Sequence, residues 1–215
     1  MASDIETIVQ ILKEQYYDKT SALLDVSNSK DPFKVLISCI LSLRTKDEVT
    51  AKATKRLFER ATTPEEMVRL TKEELEAAIY PVGFYHRKAA HILELSRVLI
   101  ERYDSRVPDE LDELLKLKGV GRKTANIVIT MGYNKPGVAV DTHVHRISNR
   151  LGLVATKTPN QTEFALRETL PRRYWISLND LLVMYGQTIC TPISPKCSIC
   201  PITEYCKRVG VTRSR

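Results

Sequence analysis

Apolar residues along this chain recur mostly at helical spacing. Ile5, Ile8, Val9 and Leu12 share one face of a first segment that Ser3 or Asp4 would cap. Asp31-Pro32 opens a second helix, with proline at the first helical position, where no donor is lost. Its body, FKVLISCILSL, is apolar almost all round, as expected of a helix buried at the centre of a bundle. A third helix starts at Thr45 or Asp47 and runs through Ala51, Ala53, Leu57 and Phe58. Thr63-Pro-Glu-Glu66 and Thr71-Lys-Glu-Glu74 are successive capping-box patterns and predict two short helices. Residues 86–103 form a long amphipathic segment, with Ile92, Leu95, Val98 and Leu99 on one side. Val107-Pro108-Asp109 marks a further helix start, and helices follow near 142–151, 161–170 and 176–188. The only strand-like run, 138–140, is too short to build a sheet on. The expected fold class is all-α.

At 215 residues the chain is long enough for one large domain or two small ones, each with a real core. Its net charge of +7 favours a polyanionic partner, nucleic acid before membrane surface, about as strongly as it fits a basic solvated surface. No apolar run reaches the roughly 18 residues that a membrane span needs. The amino-terminal run MASDIETIVQILKEQYY lacks the basic and apolar regions of a signal peptide. An intracellular, cytoplasmic or nucleoid protein that does not engage a membrane is expected.

Chemistry concentrates in 117–141, LKGVGRKTANIVITMGYNKPGVAVD. Gly119 and Gly121 flank Val120 and relieve the backbone where it turns sharply between helices. The next helix starts near Arg122, so its first amides point back into the turn and favour an anion such as phosphate. Lys118 and Arg122 add positive charge. A bare Gly-x-Gly would be an ordinary corner between helices. Lys123 sits in the first helical turn, where a cation opposes the helix dipole and the charged form is disfavoured. A neutral amine there is a nucleophile able to form a Schiff base with a sugar aldehyde; a surface lysine reaching for phosphate is the alternative. Asp141, eighteen residues later, precedes Thr-His-Val-His-Arg and would cap that helix. Lying beyond the turn at 132–136, it belongs to a different helix, so that the two side chains would converge across a cleft. His143 and His145 are assigned no chemistry, and Arg146 and Arg150 are expected to face solvent or a carboxylate.

Five cysteines are present, four of them within 190–206. In a reducing compartment that crowding argues for metal ligation over disulfides. Cys190, Cys197, Cys200 and Cys206 suit a four-thiolate centre. Tetrathiolate zinc is the rival, but it usually pairs two Cys-x2-Cys knuckles and this chain has one. Cys39, in the apolar helix, reads as a small core residue. A weak internal echo links 74–92 with 113–127: each has a helix, a Val-Gly turn and an Arg-Lys-x-Ala run. Two such hairpins would grip DNA on either side of a lesion, and a chance match of common helix-forming residues accounts for the echo equally well.

The run Leu-x-Gly-Val-Gly-x-Lys-Thr-Ala resembles the helix-hairpin-helix element of DNA repair glycosylases, with Lys118 where that family usually carries proline. Together with Val-Asp-Thr-His-Val-His-Arg at its distance and the Cys-x6-Cys-x2-Cys-x5-Cys spacing, the resemblance, running from about residue 5 to 208, is to the endonuclease III family. It implies Lys123 and Asp141 as the catalytic pair and a [4Fe–4S] cluster on the four cysteines. It also implies a six-helix domain (25–135) and a cluster domain (1–24 with 136–215). The implied partner is double-stranded DNA with damaged bases or abasic sites, bound by a monomer that flips the damaged nucleotide out. The gap left in the duplex would be filled from Leu43-Arg44-Thr45 and Val82-Gly83-Phe84, with Arg44, Val82 and Phe84 as DNA contacts. The family commonly has Gln at Arg44 and an aliphatic wedge at Phe84. The cluster loop, TPISPK, offers Lys196 alone as a basic contact. Sister branches differ: adenine-mismatch enzymes carry a catalytic Glu where Cys39 stands, and thymine-mismatch enzymes usually lack lysine at 123. The implied activity is a bifunctional glycosylase and AP lyase on oxidised or saturated pyrimidines. The alternatives are a monofunctional uracil or thymine mismatch glycosylase and a non-catalytic DNA-binding protein.

Overall fold

The computed structural model describes residues 2–16 and 30–215. Among them no strand forms, and the chain is all-α. The helices are α1 (Ala2–Tyr16), α2 (Pro32–Ser42), α3 (Asp47–Phe58), α4 (Pro64–Arg69), α5 (Lys72–Ile79), α6 (Tyr85–Tyr103), α7 (Leu111–Lys116), α8 (Arg122–Ile127), α9 (Thr142–Leu151), α10 (Pro159–Thr169) and α11 (Trp175–Thr188). None is long and apolar enough to cross a membrane. The chain divides into two compact units, Ser21–Lys135 and Met1–Thr20 with Pro136–Arg215. The expected join at 24/25 lies outside the described residues.

In the first unit α2 is the central rod. Val35, Leu36, Ile37, Ile40 and Leu41 are fully enclosed, because α3, α6, α8 and the turn after α8 pack around it. Asp31 starts it as expected: its Oδ1 accepts from the amides of Phe33 (2.9 Å) and Lys34 (3.2 Å), and Pro32 occupies the first helical position. Thr71 forms a complete capping box with Glu74, whereas Thr63 caps the Glu66 amide while the Glu66 carboxylate turns to Thr62. The helix predicted from Pro108-Asp109 begins later, at Leu111. Lys135 has drawn the Asp109 carboxylate away at 2.6 Å, and Glu110 stands at the cap position without a side-chain capping bond, its own carboxylate also meeting Lys135 at 3.3 Å. Beyond α8 the helix widens into a π turn, Val128–Gly132, where the Thr130 hydroxyl donates to the carbonyls of Asn126 and Ile127.

In the second unit α1, α9 and α11 share one apolar core with the run 138–140. That run is extended and buried without pairing as a strand, and Asn179 of α11 donates to the Ala139 carbonyl at 3.1 Å. The cap expected for α1 is displaced, since α1 already starts at Ala2; the Ser3 side chain lies outside the described residues.

Candidate active site

The hairpin joins α7 to α8. Leu117 ends α7 in an extended conformation, Gly119 takes φ +76°, and the Val120 amide donates back to the Leu117 carbonyl at 3.1 Å. Gly119 is required twice over. Its φ lies in the left-handed region, and a Cβ there would meet the His91 ring at 2.5 Å. His91 donates through Nε2 to the Lys118 carbonyl at 2.6 Å, and Lys118 pairs with Glu94 at 3.1 Å. The approach to the hairpin, lacking proline, is thus tied to α6 by side chains. Gly121 is the N-cap residue of α8 and gives the helix no capping side chain. Lys118, Gly119 and Gly121 are exposed and Arg122 is half-buried. The side chains of Val120 and Val82, both expected among the DNA contacts, are buried and fill the core beneath their turns.

Lys123 is the second residue of α8 and is exposed. Cys39 of α2 lies close enough to feel its charge, but burial dominates and pushes the thiol up to about 12. Cys39 is therefore a neutral core residue. Asp141 is the N-cap of α9, its Oδ1 accepting from the amides of His143 (2.8 Å) and Val144 (2.9 Å). His143 Nδ1 accepts from Arg146, and His145 bonds Thr162 at 2.6 Å.

Arg146 and Arg150 are half-buried, and both spend donors on backbone carbonyls. Arg146 donates to the carbonyls of Cys190 (2.8 Å) and Gly186 (3.2 Å). Arg150 donates to the carbonyls of Thr191 and Pro192, each at 2.7 Å, and to the Cys190 sulfur at 3.3 Å. Their spacing of four residues on α9 was the available signal, because it stacks both guanidinium groups on one face. The partners lie about forty residues on and leave no local pattern.

All four cysteines of 190–206 line one cavity, together with Tyr185, Lys196 and Arg208. None is in a disulfide. The sulfurs meet donors suited to a cluster's thiolates: Tyr185 Oη on Cys200 (2.8 Å), the Arg208 amide on Cys206 (3.4 Å) and the Arg150 guanidinium on Cys190. The donor set fits a four-thiolate iron–sulfur cluster, which would tie this segment of the chain together.

Arg44 and Phe84 lie on opposite sides of one junction. Both are exposed and both adopt left-handed backbone, φ +53° and +59°. The Arg44 guanidinium stands 5.8 Å from the centre of the Phe84 ring. Lys196, beside the cysteine cavity, is half-buried.

A family model of the HhH-GPD superfamily base excision DNA repair protein matches residues 37–172, and one of the iron–sulfur binding domain of endonuclease III matches residues 190–206. The chain is 54% identical to Endonuclease III of Thermotoga maritima, over 82% of this chain and 83% of that protein. It is 42% identical to Endonuclease III homolog 2, chloroplastic, of Arabidopsis thaliana, over 88% of this chain, which spans 51% of that relative. A solved non-covalent endonuclease III–DNA complex is similar with a TM-score of 0.85 at 35% identity, covering 97% of this chain and 96% of that one. A trapped endonuclease III–DNA covalent intermediate is similar at 0.84, with the same identity and coverage. The chain therefore belongs to the endonuclease III family of helix-hairpin-helix base excision DNA repair enzymes, DNA glycosylases and AP lyases with an iron–sulfur loop.

Proposed function

We propose that this glycosylase and lyase acts as a monomer on oxidised or saturated pyrimidines in duplex DNA, with Lys123 and Asp141 as its catalytic pair. Support comes foremost from the occurrence, in one chain, of an exposed lysine in the first turn after a glycine hairpin and of an aspartate heading the next helix, α9. The Lys123 amine attacks C1′ of the flipped nucleotide, and the bond from C1′ to the base breaks with Asp141 assisting the departure. The sugar ring opens to an imine on Lys123. Loss of a C2′ proton then expels the 3′ phosphate by β-elimination, and water releases the enzyme. Lys118, Arg122 and the amides around Gly119 and Gly121 hold the backbone while this happens. The cysteine cluster supplies no step; it holds the segment carrying Lys196 for contact with DNA.

A panel of lesion-containing duplexes, assayed with and without borohydride, tests this. Oxidised and saturated pyrimidines are expected to give strand cleavage and a covalent adduct. Lys123→Ala is expected to abolish the adduct. Asp141→Asn keeps a good helix cap and is expected to slow base release on the order of 10²-fold. Absence of any adduct with wild type would indicate a monofunctional glycosylase, and an adduct retained by Lys123→Ala would remove Lys123 from its role.

A further inference from the structure

Lys88 is the fourth residue of α6 and only 8% exposed. A buried cation in the first turn of a helix is disfavoured twice, by lost hydration and by the helix dipole. Burial pushes its ammonium down to about 8. Three oxygens work against that loss: Nζ donates to the carbonyls of Leu41 (2.8 Å) and Leu43 (2.6 Å) and to the Thr45 hydroxyl (3.2 Å). Two of these lie at the carboxyl end of α2, where unpaired carbonyls and the negative end of the dipole receive a cation well. Lys88 thus reaches back more than forty residues to cap α2 and fix the turn that presents Arg44.

The same hydroxyl that accepts from Lys88 accepts from the Gly83 amide at 3.1 Å. Gly83 packs so tightly that a Cβ would lie 2.6 Å from the Arg44 carbonyl oxygen. Arg56 of α3 holds the chain just before it, donating to the carbonyls of Ala78 (3.0 Å) and Tyr80. The two turns are therefore joined through one hydroxyl and one ammonium, directly beneath Arg44 and Phe84.

We infer that Lys88 is a positioning residue: it locks Leu43-Arg44-Thr45 and Val82-Gly83-Phe84 into a single rigid unit that enters the duplex when the nucleotide is flipped. This rests on the assignment of Arg44 and Phe84 as the gap-filling residues. A satisfied lysine with a purely structural duty would matter equally for every substrate. A lysine that aims the inserting side chains matters only where a duplex must be opened.

The readout is the ratio of cleavage rates at an abasic site in duplex and in single-stranded oligonucleotide, for Lys88→Met, Lys88→Arg, Thr45→Val and Phe84→Ala. A duplex with 2-aminopurine opposite the abasic site reports orphan-base handling in parallel. Lys88→Met is expected to lower the duplex-to-single-strand ratio about tenfold, Thr45→Val about threefold, as small misplacements do, with partial recovery in Lys88→Arg. The 2-aminopurine response should shrink in the same order. If Lys88→Met does not fold, Thr45→Val carries the test, because it leaves the ammonium its two carbonyl partners. A ratio unchanged in both while Phe84→Ala lowers it overturns the role of Lys88. A ratio unchanged in Phe84→Ala overturns the gap-filling assignment itself.

Discussion

The first unit contains two hairpins of similar build put to opposite uses. Each joins two helices and buries a valine whose amide donates to the carbonyl three residues back, Val82 to Ile79 and Val120 to Leu117. Each is followed by Arg-Lys-x-Ala. In the first, the lysine is buried on three oxygens and the glycine is jammed against a neighbouring turn. In the second, the lysine is exposed and nothing lies within 4 Å of where a Cβ of Gly121 would stand. One hairpin has spent its polar groups on its own rigidity. The other keeps its backbone surface open, as phosphate contact requires.

The glycines break or sharpen this contrast most strongly. Gly83→Ala forces a methyl against a backbone oxygen that cannot swing aside, and should cost about 2 kcal/mol in chemical denaturation. Gly121→Ala at φ −92° meets nothing and should change stability by less than about 0.5 kcal/mol. Its DNA affinity should nevertheless fall, because the methyl occupies the open surface. Equal stability losses in the two variants would show that the hairpins are built alike after all.

Gly119→Ala should cost about as much as Gly83→Ala, by a different route. The left-handed backbone alone costs an alanine about 1–2 kcal/mol. The His91 ring, 2.5 Å from the new methyl, must also move, which threatens its bond to the Lys118 carbonyl. A thermal melt of Gly119→Ala beside the double variant with His91→Ala separates the two costs. Partial recovery in the double variant identifies the ring as the obstacle; no recovery leaves backbone conformation as the whole effect.

What the sequence revealed was local. Capping residues such as Asp31, Thr71 and Asp141 sit within a few residues of the amides they bind, so composition and spacing expose them. The cysteine spacing is equally local. Lys88 looks like one more polar residue on an amphipathic helix, because its partners lie 43–47 residues upstream. The backbone acceptors of Arg146 and Arg150 escape the sequence for the same reason, lying about forty residues on. Val82 and Val120 sit in runs of exposed residues, yet an apolar side chain in a turn is more stable beneath it than on it. The displaced start of α7 shows competition of another kind: Asp109 could cap, but Lys135 offered a full opposite charge.

The weakest expected effect is the most specific to the open hairpin. Lys118 and Glu94 are both exposed, so their pairing contributes little to folding and is screened by salt. Lys118→Ala should therefore leave the melting temperature unchanged. If Lys118 meets a phosphate, the same variant should bind duplex DNA more weakly and lose about one charge's share of the salt dependence, a slope smaller by roughly 0.9 in log K against log salt. Glu94→Gln should do the reverse, freeing the ammonium and strengthening binding at low salt. A slope unchanged in Lys118→Ala would mean that Lys118 only ties the hairpin to α6, and that the open hairpin, like the closed one, spends its lysine on itself.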